Sequence, residues 1–365
     1  MASGLVTYTH GALSVADIVA MLKARGLAFA DEARAMRELE MLSYFRLSAY
    51  LKPLEEDASV ATVTHQYKSG ATFEKAMELY DFDKRLRLLV FSAIQSIEIA
   101  LRSRMIQVFS EARGAFWFMD MGLTNDERLL VQNLATLDRE VQRSSDEFIK
   151  EHFRKYDRPT FPPAWKTMEL ATFGTLSKVF HNFADSAAKN AVARAFGVPR
   201  YVMLESWMAS LAVLRNACAH HSRVWNKVMK SNPVLPAVLP RDWVANVAVD
   251  DRRIYARLCC LVYWLNAIDG ENGFVEDLKA LLVSHPNVDV AAMGFPEGWD
   301  EEPLWKDKKS TSDEGAGSDA VESDESVSET EASAEVQSTD AASEEVADGE
   351  TASDVSTDGE ASEKE

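Results

Sequence analysis

Along most of the chain, apolar residues recur at every third or fourth position, the spacing that gathers them on one face of a helix. The clearest case is 71–113, which contains no Gly or Pro. Thr72 is its candidate N-cap, and Phe73, Met77, Tyr80, Ile94, Ile97, Leu101, Met105 and Val108 keep the register. Gly114 closes it. Upstream, the pattern predicts a helix starting near Ser14, with Asp17 completing a capping box, and a second over 31–43. An interruption spans 52–70, where short runs such as 60–63 look strand-like but are too brief to predict a sheet. Downstream, one more polar helix is expected over 124–157, ended by Pro159, Pro162 and Pro163. Further helices are expected over 164–183, 187–196, 201–226, 250–269 and 274–284, with connectors at 232–241. The fold class predicted is all-α: an N-terminal helical extension (1–70), a helical domain (71–300) and a tail (306–365).

Charge sharpens this division. The chain of 365 residues carries 39 Lys and Arg against 58 Asp and Glu, a formal net charge of −19. Such a balance argues against a nucleic-acid partner until it is divided by position. Residues 310–365 hold 19 of the acidic side chains and one basic one, Lys364, so 1–309 is close to neutral. The acidic stretch has no aromatic residue and no Ile, Leu or Met, and is expected to be disordered, because it cannot bury enough apolar surface to offset its ordering entropy. All 8 Trp and 17 Phe lie before it, so the rest can build a large core. The tail's charge mimics a polyanion and predicts competition with RNA for a basic cleft; its plainer role is a solubility device. Three cysteines (Cys218, Cys259, Cys260) form no disulfide framework. The N-terminus lacks a signal-peptide pattern, and the most apolar stretch, 258–268, is too short to span a bilayer. A soluble, cytoplasmic protein with no membrane association is expected.

The candidate chemistry lies near the end of the 201–226 pattern, where Arg215, Asn216, His220, His221 and Arg223 follow a strongly apolar helix. Asn216 and His220, four apart, share a helical face, and the long side chain of Arg215 can reach toward it. A histidine that moves protons near neutral pH and an arginine that holds phosphate suit cleavage of RNA by its own 2′-hydroxyl. The same residues also suit a structural role, with Arg215 paired to a carboxylate and His220 hydrogen-bonded in the core. Zinc on Cys218, His220 and His221 would need a further ligand pair that the spacing does not supply. Glu98 and Arg102 fall on the apolar face of 71–113, where charges must be paired or line a cleft. Lys84, Arg85 and Arg87 could meet phosphates or form a solvated face. No phosphate-binding Gly-rich loop, His-Glu-x-x-His or Gly-x-Ser-x-Gly motif is present, which weighs against ATPases, dinucleotide enzymes, zinc proteases and α/β-hydrolases.

Several blocks resemble the Abi-like proteins of bacteria, the abortive-infection AbiD/AbiF group. They are Tyr44-Phe-Arg-Leu-Ser-Ala-Tyr-Leu-Lys-Pro-Leu54, Phe73 through Tyr80-Asp-Phe-Asp-Lys-Arg-Leu-Arg87, and Ile97-Glu-Ile-Ala-Leu-Arg102. Phe161-Pro-Pro-Ala-Trp165 with Glu169 and Phe173-Gly-Thr-Leu-Ser177 follow, then Arg215-Asn-Ala-Cys-Ala-His-His-Ser-Arg-Val-Trp-Asn226. Together they run over about residues 14–285 and leave the tail unmatched. The resemblance implies membership of the HEPN superfamily: a HEPN-like helical bundle and a phage-defence or toxin-like ribonuclease that needs no metal or cofactor. It also implies RNA as partner, a homodimer that joins two motifs, and a possible RNA or protein antitoxin. Arg215, Asn216 and His220 fall on the family's Arg-Asn-x-x-x-His, and Glu98 and Arg102 on its Glu-x-x-x-Arg, as a supporting pair. His221 and Arg223 match with less defined roles. A non-catalytic RNA- or protein-binding module is the competing function.

Overall fold

The computed structural model describes residues 11–56 and 65–306. The acidic tail and the run 60–63 lie outside the described residues. Twelve α-helices and several short 3-10 turns make up the described chain, with three isolated β-bridges and no strand among the described residues.

The first three helices are α1 (Val15–Ala24), α2 (Glu32–Leu42) and α3 (Tyr44–Leu51). Ser14 and Asp17 cap α1 reciprocally, as the sequence predicts, and Asp31 caps α2, one residue before the helix begins. Helix α3 continues past the 31–43 pattern: Ser43 ends α2 and caps α3, its hydroxyl accepting from Arg46 N. Helix α4 (Phe73–Arg113) is the longest element among the described residues. At 41 residues it spans about 60 Å. Thr72 caps it and Gly114, at φ 83°, turns the chain away. Its buried stripe runs through Phe82, Leu86, Val90, Ile94, Ile97, Leu101, Met105 and Phe109. Met77, Tyr80 and Val108 flank that stripe, half-buried.

Two helices, α5 (Glu127–Arg143) and α6 (Glu147–Lys155), replace the single one expected over 124–157. The break is chemical: Ser144 turns extended, and its hydroxyl accepts from Asp146 N and donates to the Asp146 carboxylate. Likewise 164–183 divides. A single turn, α7 (Ala164–Thr167), runs into a 3-10 turn, and Thr172 then caps α8 (Phe173–Asn182). Next come α9 (Ser186–Ala195) and α10 (Tyr201–Ala219), then a long irregular segment, then α11 (Ile254–Ile268) and α12 (Phe274–Val283). Helix α10 stops at Ala219, seven residues short of the predicted end, because the chain turns at His220 and His221.

Helix α4 touches α3 and each of α7 to α12. Opposite it, α11 is buried on every side from Ile254 to Leu265, which explains the most apolar stretch of the sequence: it is core. No helix among the described residues is long and apolar enough to cross a membrane. Trp207, Trp243, Tyr263 and Trp264 pack against one another between α10 and α11. Helix α10 also packs against α4, with Arg215 near its C-terminal end.

Candidate functional site

The end of α10 is a Schellman turn. Ser222 N donates to Ala217 O at 2.8 Å and His221 N to Cys218 O at 3.0 Å. His221 takes the left-handed position, φ 55°, that glycine usually fills. A residue with a Cβ pays about 1–2 kcal/mol there, so surrounding contacts must hold it. His220 is the helix's last half-turn residue, exposed, and Asn216 one turn earlier is also exposed. Both therefore keep the shared face that the four-residue spacing predicts.

Arg215 is drawn inward instead. Its Nε lies 3.6 Å from Glu98 Oε2, and its guanidinium sits 5.6 Å from the centre of the Phe91 ring. The ion-pair distance is too long for a hydrogen bond, and the buried Nε has no acceptor among the described residues. Glu98 is shared: its other oxygen accepts from Arg102 Nη2 at 3.0 Å. Arg102 Nη2 also donates to Ala171 O at 3.0 Å, and its Nη1 lies 3.7 Å from Glu169. Arg102 Nε, also buried, makes no hydrogen bond. These three side chains, with Phe91, Gln95 and Ile99, line a pocket of about 270 Å³ between α4 and α10. Glu98, Arg102 and Arg215 thus meet in one place, as charges on an apolar face require. Asn216, His220 and His221 lie outside that lining; along the helix His220 is about 7.5 Å beyond Arg215.

The segment after His221 is held chiefly by Asp83, Tyr50 and Arg46, which reading the sequence for catalytic groups missed. Asp83, buried on α4, accepts from Val224 N at 3.0 Å and Trp225 N at 2.6 Å through one oxygen. Its other oxygen accepts from the Tyr50 hydroxyl at 2.5 Å and from the Arg87 guanidinium. Burial pushes the Asp83 carboxyl above the usual range, against the pull of Arg87, Tyr50 and the two N–H groups. Burial, then the neighbouring carboxylate, also raises the Tyr50 phenol. From α3, Arg46 Nη1 donates to His221 O at 2.8 Å, while Arg223 Nη1 reaches back to Ala49 O at 2.9 Å. Arg223 is therefore a tether to α3. Asp83 and Arg87 were visible in principle: a charged i,i+4 pair among Leu79, Phe82, Leu86 and Val90 carries the same signal as Glu98 and Arg102.

Lys84, Arg85 and Arg87 do not act as one patch. Arg87 is buried, Arg85 pairs with Asp81 at 2.7 Å, and Lys84 is exposed. Burial pushes the Cys218 thiol up to about 12. Among the described residues no group of three or more His, Cys, Asp or Glu side chains is placed to hold a metal.

A family model described as Abi-like protein matches residues 37–226. The matched stretch begins within α2 and ends on Asn226, so it contains α3, α4 and every residue of the site above. No curated protein and no solved structure matches the chain.

Proposed function

The chain belongs to the Abi-like protein family, and from that premise we propose that this abortive-infection, phage-defence protein is a metal-independent endoribonuclease of the HEPN type. What carries the reading is the pair of arginines on Glu98: Arg102 and Arg215 line one pocket, and each has a buried Nε without an acceptor. A phosphate oxygen in that pocket would accept from the guanidinium N–H groups that face it, and a guanidinium beside a reacting phosphate offsets charge that grows in the transition state. In this mechanism His220 takes the proton from the 2′-hydroxyl as its oxygen attacks the adjacent phosphorus. The bond to the 5′-oxygen breaks, and that oxygen leaves protonated. The products are a 2′,3′-cyclic phosphate and a free 5′-hydroxyl. Asn216, on the face of His220, orients the imidazole or the phosphate. In a homodimer the second copy of the motif serves as the partner acid.

One observation favours the binding-module reading: Glu98 already engages both arginines, as a structural ion network would. The two readings separate in a single assay. Purified protein incubated with total RNA and EDTA is expected to cleave it, leaving 2′,3′-cyclic phosphate ends. Arg215→Ala and His220→Ala are expected to lose on the order of 10²–10⁴ in rate, with RNA binding retained. Loss of cleavage in EDTA overturns the mechanism, and binding without cleavage by the wild type leaves the module.

A further inference from the structure

The first turn of α3 stands beside the His220–His221 turn, fixed there by two reciprocal links, Arg46 to His221 O and Arg223 to Ala49 O. Next to Arg46, the Phe45 side chain is 88% exposed, the most exposed large apolar residue among those described. Arg46 is itself exposed and makes no ion pair with a carboxylate among the described residues; the one hydrogen bond its side chain makes there, to a carbonyl, leaves its charge uncompensated. No acidic residue occurs from 43 to 54. The backbone that presents this turn is strained. Ser43 has φ 59° and ψ 147°, a region close to glycine's alone, and such conformations persist where surrounding structure imposes them, often at functional sites.

We propose that Phe45 and Arg46 form a nucleotide subsite adjoining the candidate catalytic motif, in which Phe45 stacks a base of single-stranded RNA and Arg46 faces its phosphate. The proposal rests on the ribonuclease reading above. Every base has a π-face, so an open aromatic ring beside an uncompensated cation matches one unpaired nucleotide in both halves of its chemistry. Base-paired RNA keeps its bases stacked inside the helix and offers no such face. A second copy of the chain is a poorer fit for this turn: protein interfaces of standard size need a broad complementary patch, whereas the exposed large apolar side chains of α2 and α3 are two, Met41 and Phe45.

The test is fluorescence anisotropy with a short 2′-O-methyl single-stranded oligonucleotide, which binds but cannot be cleaved because its 2′-oxygen is blocked. Phe45→Ala is expected to weaken binding about tenfold and Phe45→Trp to restore it, with unchanged thermal melting of both variants. Arg46→Ala is expected to lower the slope of log affinity against log salt by about 1. The same preparations are given unblocked RNA. Equal binding by wild type and Phe45→Ala, while wild type cleaves, overturns the subsite alone. So does a change of sedimentation mass in Phe45→Ala with unchanged RNA affinity, which makes the ring a protein contact. Wild type that binds without cleaving overturns the ribonuclease reading, while a tenfold loss in Phe45→Ala still supports the subsite. Wild type that neither binds nor cleaves overturns both.

Discussion

Asp83 shows how one buried carboxylate connects three parts of the chain. It satisfies the N–H groups of Val224 and Trp225, receives the Tyr50 hydroxyl and pairs with Arg87. Removing one partner of such a group leaves charge undersolvated, which costs more than the bond's net worth. Tyr50→Phe deletes only the O–H donor and keeps the ring, so urea unfolding should show a loss of about 1.5–3 kcal/mol. Because Asp83 also sets the chain just past His221, RNA cleavage by Tyr50→Phe is expected to fall at a temperature where the variant remains folded. Equal cleavage would confine the cluster to stability. At this scale the sequence showed which charges must be paired, since Glu98 and Arg102 interrupt an apolar face. It could not show that Arg215 would close on Glu98 from a helix more than a hundred residues later, because helical spacing carries no information on tertiary partners. Asp83 itself was legible by the same rule and was obscured by the basic residues around it.

Among the elements, starts were easier to read than ends. Ser14, Asp31 and Thr72 each cap the helix the pattern predicts, because a side-chain oxygen that accepts a backbone N–H is a local signal. The ends of α5 and α10 were missed: Ser144 and His221 break their helices without glycine or proline, one through its hydroxyl and the other by taking a left-handed backbone. Helix α9 offers a measurable cap. Asp185 accepts from Ala188 N at 3.0 Å and pairs with Arg113, and its carboxyl is lowered first by that N–H, then by Arg113. Asp185→Ala should cost about 1 kcal/mol at neutral pH. A carboxyl whose folded pKa is depressed stabilises above its unfolded value, near pH 4, and loses that contribution as pH falls through the lower folded value. The gap between wild type and Asp185→Ala in urea midpoint should therefore be constant from pH 7 to about 5 and close below about pH 4. A gap that persists in acid would assign the effect to packing.

For the whole molecule, the number that matters is how charge is divided. The net of −19 belongs almost wholly to residues 310–365, while the helical part is near neutral and places Arg46, Arg102, Arg215 and Arg223 around the candidate site. Affinity for RNA follows the local cation pattern rather than the total. A polyanionic segment tethered to such a surface is expected to compete with RNA at high effective concentration, and such competition would be electrostatic and weakened by salt. Ending the chain after Lys309 should raise affinity for single-stranded RNA severalfold, on the order of tenfold at 0.05 M salt, with the difference shrinking toward nothing near 0.5 M. Anisotropy titrations of both forms at the two salt concentrations measure it. If the shortened chain also cleaves faster at subsaturating RNA and at the same rate when saturated, the tail acts by occupying the cleft. Equal affinities at both salts would leave it as a solubility device alone.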